Sequence, residues 1–265
     1  MGDSHRFRFL SLPREGILCD DCERHHYGIS RRRNITERKR YGLEADMRIG
    51  ISRTPAKVIC CGHNYRAHIA EMGRPTPRYP TLFTKFADTL TGPHDDIVVP
   101  PEATGLDWEA ELAVIVGAEV WRADPTEAAA AIAGYTVAND ISVRSWQHHT
   151  GQWLPGKAFD ATTPLGDELV TPDEVDPRAG LAITCRVNGE TVQAARTDDL
   201  VFDAPALLAY ISAFTRLRAG DVVLTGTPGG VGAAADPARE LVDGDVVETE
   251  IESIGKLCNM IRIQE

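Results

Sequence analysis

Three acidic side chains, Asp107, Glu109 and Glu111, alternate with apolar ones in the run Leu106-Asp-Trp-Glu-Ala-Glu-Leu-Ala-Val-Ile-Val-Gly117. This period of two reads as a β-strand with the acids on one face and Trp108, Ala110, Leu112 and Val114 on the other. Side chains two apart on a strand lie about 6–7 Å from each other on the same side, so two carboxylates there can converge on one ion. Buried without a partner they would repel and be costly to ionise; either a cation neutralises them or they lie in water. The apolar continuation from Leu112 to Val116 argues against a wholly solvated edge and for a divalent cation. Asp140, ending the strand Gly134-Tyr-Thr-Val-Ala-Asn-Asp140, is the candidate third ligand, although Asn-Asp pairs at strand ends also form turns. Glu109, Glu111 and Asp140 together would supply three hard oxygen donors, a set that suits Mg²⁺ or Mn²⁺ and disfavours a Cys/His zinc centre.

His68 and Glu71 are three apart in Tyr65-Arg-Ala-His-Ile-Ala-Glu71, which on a helix places them on one face. A carboxylate beside an imidazole orients it and raises its basicity, as a water-activating base requires; a plain surface ion pair has the same spacing. Lys157, in Gly156-Lys-Ala-Phe-Asp160, offers a point charge to an oxyanion or is a solvated surface residue. Arg144 and Gln147, just beyond Asp140, carry donors that could address carboxylate or carbonyl oxygens near the metal, or serve surface hydrogen bonding. The run Thr225-Gly-Thr-Pro-Gly-Gly-Val-Gly232 lacks the Gly-Lys-Ser/Thr ending of a phosphate-binding loop, but Thr225 and Thr227 could bind a carboxylate through hydroxyl and backbone N–H groups. There is no Gly-x-Ser-x-Gly elbow, and Cys60-Cys61 sits in an apolar run, so covalent catalysis by serine or cysteine is not expected.

The elements that must position these groups are mostly strands. Lys57 to Cys61, Thr81 to Lys85, Ile97 to Val99, Glu111 to Val116, Gly134 to Ala138, Val222 to Thr225 and Asp245 to Ile251 carry strand patterns. Leu181 to Val187 and Glu190 to Ala194 flank Asn188-Gly189, a strong hairpin signal. Helices are expected after Gly62-His-Asn-Tyr65, where Gly73 and the Pro-rich Arg74 to Pro80 stop the turn, over Pro125 to Ala133, and over Ala206 to Phe214. Strands outnumber helices, which predicts an α+β, predominantly β domain. Residues 1–50 lack this periodicity and are rich in Arg, His and Cys, so a boundary is placed near residue 50, with an atypical basic segment before it and a catalytic domain over 51–265.

Composition narrows the function classes. No apolar run approaches the roughly 18–20 residues that cross a bilayer, and no apolar stretch of signal-peptide type or myristoylation motif opens the chain; the expectation is a soluble, cytoplasmic protein without a membrane partner. The formal net charge of −11 argues against nonspecific nucleic-acid binding. Residues 1–55 alone are mildly basic, with 12 Lys+Arg against 8 Asp+Glu, but Arg31-Arg32-Arg33 and Arg38-Lys39-Arg40 have no interleaved aromatics. The six cysteines do not make a disulfide scaffold in a chain of 265 residues. In Cys19-Asp-Asp-Cys22-Glu-Arg-His25-His26 almost no chain separates the two ligand pairs, which speaks against a structural zinc site.

Taken in order, Gly62-His-Asn-Tyr65-x-x-His68-x-x-Glu71, Asp107-x-Glu109-x-Glu111-Leu, Asn139-Asp140-Ile-Ser-x-Arg144-x-x-Gln147, Gly156-Lys157-x-x-Asp160, Thr225-Gly-Thr-Pro-x-Gly-Val-Gly232 and the closing Ile254-Gly-x-Leu-x-Asn259 resemble the fumarylacetoacetate hydrolase family over roughly residues 56–262. The resemblance implies a β-sandwich roll, assembled as a homodimer, with Mg²⁺ or Mn²⁺ held by Glu109, Glu111 and Asp140. It further implies that His68 with Glu71 activates water from a lid, that Lys157 and Gln147 stabilise developing negative charge, and that Tyr65, Arg144, Thr225 and Thr227 bind a small 2-oxo acid. The expected activity is hydrolysis of a C–C bond in acylpyruvate-like or related 2-oxo acids through a metal-stabilised enolate. The alternative keeps the enolate and omits water attack, as in a 2-hydroxyhepta-2,4-diene-1,7-dioate isomerase or an oxaloacetate decarboxylase; a noncatalytic metal-binding module is the remaining reading.

Overall fold

A computed structural model of the chain describes residues 51–265; the basic segment, the Cys19 to His26 cluster and the boundary near residue 50 lie outside the described residues. In chain order the elements are β1 (Val58–Gly62), α1 (Arg66–Glu71), β2 (Thr81–Lys85), β3 (Leu90–Thr91), β4 (Ile97–Val99), β5 (Leu106–Asp107), β6 (Ala110–Val116), α2 (Pro125–Ala130), β7 (Ile132–Asn139), β8 (Ser142–Val143), α3 (Arg144–Gln147), α4 (Leu154–Lys157), β9 (Thr163–Pro164), β10 (Ala182–Val187), β11 (Glu190–Arg196), α5 (Ala204–Ser212), β12 (Val222–Leu224), β13 (Val246–Ile251) and β14 (Gly255–Ile263). Two five-stranded sheets dominate, ordered β2-β1-β12-β6-β7 and β11-β10-β13-β14-β4, and two short pairs, β3-β9 and β5-β8, close their margins. The domain is therefore α+β and predominantly β, as its sequence pattern predicts.

Strand β6 is buried along its whole length, and its two faces belong to two different cores. Leu112, Val114 and Val116 join the main core with Val137, Ile183, Val187, Val247, Leu257 and the apolar face of α5. Ala113 and Ile115 point the other way, into a smaller cluster with Val58, Cys60, Ala138, Leu165, Val222 and Leu224. Side chains alternate along a strand, so Glu109 and Glu111 share the face of Ala113 and Ile115, turned away from the second sheet. The register carries that face across the sheet. Leu224 lies opposite Ala113 and Cys60, and Phe83 and Lys85 of β2 lie opposite Cys60 and Val58. Lys85 thus reaches the same side as the carboxylates from the far edge of the sheet.

One local device matches its sequence signal. Asn188 and Gly189 both adopt positive φ, 53° and 80°, as the two-residue turn between β10 and β11 requires. Asp124 caps α2 by accepting from Thr126 and Glu127 N–H while Glu127 reaches back to the Asp124 N–H, with Pro125 in the first turn. The helix ends at Ala130, three residues short of the expected Ala133, because Ile132 already enters β7. Likewise α5 starts at Ala204, two residues earlier than expected, where Asp203 accepts from Ala206 N–H. Strand β14 carries no clean alternation, since Lys256, Asn259 and Arg262 interrupt its apolar positions, and only its pairing with β13 and β4 defines it. Replacing Asp124 with Ala removes the cap of α2, which is expected to cost about 1 kcal/mol and to lower the melting temperature by about 2–4 °C in thermal unfolding; an unchanged transition would show that tertiary packing alone sets the start of this helix.

Candidate metal centre and its cleft

The acidic run departs from a continuous strand at one place. Leu106–Asp107 pairs with β8, β6 starts at Ala110, and Trp108 and Glu109 between them belong to neither ladder. The backbone donors of Trp108, Glu109 and the first residue of β6 are taken by side chains instead: Asp107 Oδ1 accepts from Trp108 N–H, Asn139 Oδ1 from Glu109 N–H and Gln193 Oε1 from Ala110 N–H, each at 2.9 Å. The Glu109 carbonyl accepts from Asp140 N–H at 2.9 Å, which brings the residue after β7 beside the residue before β6. In consequence Glu109, Glu111 and Asp140 each present a carboxylate oxygen within 4.8 Å of the other two, and all three are buried.

Asp107 is not part of this group. Its oxygens accept from the N–H groups of Gly232 and Ala233 and from Arg144, so it anchors a loop and an arginine. Cations face the acids from three elements, Lys85 and Lys157 buried and Arg144 half-buried. Lys157 Nζ sits 2.8 Å from both Glu109 Oε2 and Asp140 Oδ2. Lys85 pairs with the other oxygen of Asp140, and Arg144 Nη2 lies 2.8 Å from Asp107 Oδ2 and 2.7 Å from Glu109 Oε1. Four buried carboxylates therefore meet three cations, leaving one negative charge in excess. That excess falls on Glu111. Burial first, then Asp140 and Glu109, hold its carboxyl well above the usual carboxylate range, although it accepts a hydrogen bond from the Gly226 N–H at 2.6 Å. Burial opposes ionisation of Asp140 too, yet Lys157 and Lys85 outweigh it and hold this carboxyl below its ordinary value. Lys157 is pushed upward because Asp140 and Glu109 overcome its desolvation, so it stands as a fixed ammonium. A divalent cation fits this set: three converging hard oxygens, one uncompensated charge, and no sulfur or imidazole among them.

Of the three acids, Glu109 lines a cleft of about 490 Å³. Its walls bring together His68, Glu109, Arg144, Gln147, Lys157 and Thr227 from five places in the chain, with Arg144 and Gln147 both on α3. His68, on α1, has Nδ1 3.4 Å from Glu71 Oε2, and Glu71 itself is exposed. Gln147 accepts from Arg144 Nη1 through Oε1 at 2.7 Å, which turns its NH₂ toward the cleft. Gly156 makes the neighbouring placement of Gln147 and Lys157 possible, since a Cβ there would stand 2.4 Å from Gln147 N. Two expected binding groups lie elsewhere. Thr225 is fully buried, and its hydroxyl and N–H both donate to the Leu112 carbonyl, so neither is available to a ligand. Tyr65 is also fully buried and does not line the cleft; burial and then Glu111 push its phenol upward, and its hydroxyl has no hydrogen-bond partner.

Several residues of the site lack a signal in the sequence pattern. Lys85, Asn139 and Gln193 are single polar residues in strands, where the ordinary reading is a solvated position. His63 lines the cleft at φ 54°, accepts from Arg74 Nη1 at 3.2 Å and stacks edge-on with Trp153, whose ring covers Gly62. Burial first, and then Arg74, lower the pKa of His63, which favours the neutral ring that this bond requires.

Comparison with known proteins decides the family. The model of the fumarylacetoacetate (FAA) hydrolase C-terminal domain matches residues 57–262. The chain belongs to the fumarylacetoacetate hydrolase family. Among its family relatives, human oxaloacetate tautomerase FAHD2A, mitochondrial, is 46% identical over 209 residues, which span 78% of this chain and 67% of that protein. Among solved family structures, 5-carboxymethyl-2-hydroxymuconate delta-isomerase from Mycobacterium smegmatis superimposes with a TM-score of 0.73 at 37% identity, covering 82% of this chain and 83% of the other. The fumarylacetoacetate hydrolase from the psychrophile Exiguobacterium antarcticum gives the same TM-score and identity over 80% of this chain and 76% of its own. Among the described residues no helix is long and apolar enough to cross a membrane, and the human relative is named mitochondrial, so a cytoplasmic address does not follow from the sequence.

The charge balance yields a test. Glu111→Gln keeps an acceptor for Gly226 N–H and removes the excess charge, so the metal-free protein is expected to melt at a higher temperature while Mn²⁺ binding, measured by calorimetry, is lost. A variant that melts lower and still binds Mn²⁺ would contradict both the ligand assignment and the charge count.

Proposed function

We propose that this protein is a metal-dependent tautomerase of a small 2-oxo acid, with oxaloacetate as the first substrate to try. The observation that carries the reading is the placement of fixed donors and the His68 imidazole around a cleft lined by Glu109 of the acidic triad, in a chain 46% identical to an oxaloacetate tautomerase. Enol and keto forms interconvert by moving one proton between carbon and oxygen while negative charge rests on the oxygen. A divalent cation held by Glu109, Glu111 and Asp140 would supply Lewis-acid stabilisation of that charge. Lys157 adds an ammonium whose first two donors hold Glu109 and Asp140, leaving the third for the substrate oxygen. Gln147 adds an N–H oriented by Arg144, and removing one such donor typically costs about 10²–10³ in rate. His68 carries the proton: Glu71 engages Nδ1, and Nε2 remains for the substrate carbon. The Thr227 hydroxyl holds the substrate carboxylate.

This reading replaces C–C hydrolysis as the primary one. Hydrolysis of an acylpyruvate would use the same dyad to deprotonate water, and the exposed Glu71 beside His68 is the feature that favours it as second reading. The named activities of the oxaloacetate tautomerase and the delta-isomerase support the reaction without water attack, and the hydrolase relative keeps hydrolysis as the second reading. Assembly as a homodimer is proposed from the family resemblance.

The decisive assay mixes Mn²⁺- or Mg²⁺-loaded protein with enol-enriched oxaloacetate and follows loss of enol absorbance, with mass detection of products and an acylpyruvate control. Accelerated ketonisation abolished by EDTA, without CO₂ or cleavage products, is the expected outcome; two carbon fragments from the acylpyruvate would restore hydrolysis, and CO₂ release would point to decarboxylation. His68→Ala is expected to lower kcat by about 10²–10⁴ and leave Mn²⁺ affinity unchanged; full activity in this variant would remove His68 from the proton path.

A further inference from the structure

Gln193 belongs to the second sheet, yet its side chain ends in the first. It sits in β11 and is buried, directly beside a bulge at which the register of β10 and β11 shifts, with Cys185 opposite Gln193 and Arg186 opposite Thr191. A bulge bends its strand and re-aims the neighbouring side chain. Here the amide is aimed through the seam between the sheets. Its Oε1 accepts from Ala110 N–H at 2.9 Å, between the ligands Glu109 and Glu111. Its Nε2 donates to Thr227 Oγ1 at 2.9 Å and to the Pro228 carbonyl at 3.0 Å. The glycine-rich loop rests on the same bulge, because a Cβ on Gly230 would stand 2.3 Å from the Val192 carbonyl.

From this geometry we infer that Gln193 is a positioning residue that locks the carboxylate strand and the substrate-binding loop into one unit. Each end of the amide has a separate duty. The carbonyl end completes the hydrogen bonding of the strand where the β6 ladder stops, and so fixes the direction of the Glu109 and Glu111 side chains. The NH₂ end occupies a lone pair of Thr227 Oγ1, so the Thr227 hydroxyl proton is left to point into the cleft and the threonine becomes a donor to a carboxylate. Ala110 N–H can only donate and the Pro228 carbonyl can only accept, so the amide has one workable orientation. The loop half of this assignment rests on the tautomerase reading proposed above; the metal half does not.

The test uses the full chain and two variants, with Mn²⁺ as the metal probe and oxalate as the carboxylate probe, both measured by calorimetry, alongside circular dichroism and thermal unfolding. Gln193→Met has nearly the same shape and neither polar end; it is expected to weaken Mn²⁺ binding by about 10–100-fold and to weaken oxalate binding to the Mn²⁺-loaded protein. Gln193→Glu retains an acceptor for Ala110 N–H and loses the donor, so Thr227 must turn its proton toward residue 193. It is expected to keep Mn²⁺ affinity near wild type while oxalate affinity falls and KM for oxaloacetate rises. A folded Gln193→Met variant with wild-type Mn²⁺ and oxalate affinities overturns the inference. If that variant does not fold, Gln193→Glu decides: a lowered melting temperature with unchanged oxalate affinity and KM would make Gln193 merely structural. Wild-type protein that binds Mn²⁺ but leaves oxaloacetate unchanged would sink the tautomerase reading, and the Mn²⁺ comparison would still judge the metal half.

Discussion

Four carboxylates buried in one place constrain everything around them. Like charges at such separations resist ionisation together, and ionised groups away from water need partners at hydrogen-bond distance. The fold meets that demand from several directions: Lys85 from the edge strand of the first sheet, Lys157 and Arg144 from two short helices, and backbone N–H groups from the Gly226 to Ala233 loop. Their positions follow from the requirement that three cations surround the acids without quite neutralising them. A site balanced in this way receives a divalent ion readily, because the ion completes a charge arrangement that the polypeptide leaves short.

The sheet architecture makes this possible by giving the central strand two unlike faces. One face of β6 is ordinary sandwich core. The other starts as small apolar packing at Ala113 and Ile115 and becomes ionic at Glu111. The change occurs toward the end at which the ladder stops, and there side-chain amides from Asn139 and Gln193 do the work of a neighbouring strand. Asn139 also donates to Thr249 in β13, so both amides bind the acidic segment to the second sheet. Burial of polar groups here is affordable only because each finds a partner.

How far the site was readable from the sequence depends on whether its signal was local. Glu109 and Glu111 announced themselves by alternation, Asp140 by its place at a strand end, and the His68 to Glu71 spacing by the helix period. The hairpin at Asn188-Gly189 was equally local. Lys85, Asn139 and Gln193 were not, because what distinguishes them is a partner 55, 30 and 83 residues away, respectively. The same blindness misplaced Thr225: its glycine-rich setting looks like a binding loop, whereas the adjacency of β12 to β6 spends its hydrogen bonds on Leu112. A single unbroken strand over Leu106 to Gly117 also could not be told from two strands with a hinge of two residues at Trp108-Glu109.

The hinge at Trp108-Glu109 has a consequence for how the molecule acquires its chemistry. The groups that hold those residues and the adjoining Ala110 lie at positions 107, 139, 193 and 230, and Trp108 itself donates to the Gly230 carbonyl. These contacts close long loops, and long-range closure is the slow part of folding. A divalent ion held by Glu109, Glu111 and Asp140 would find its ligands in place only once β11 and the Gly230 loop have docked, and would then stabilise the finished fold by mass action. Such an ion would act as an inspector of completed chains.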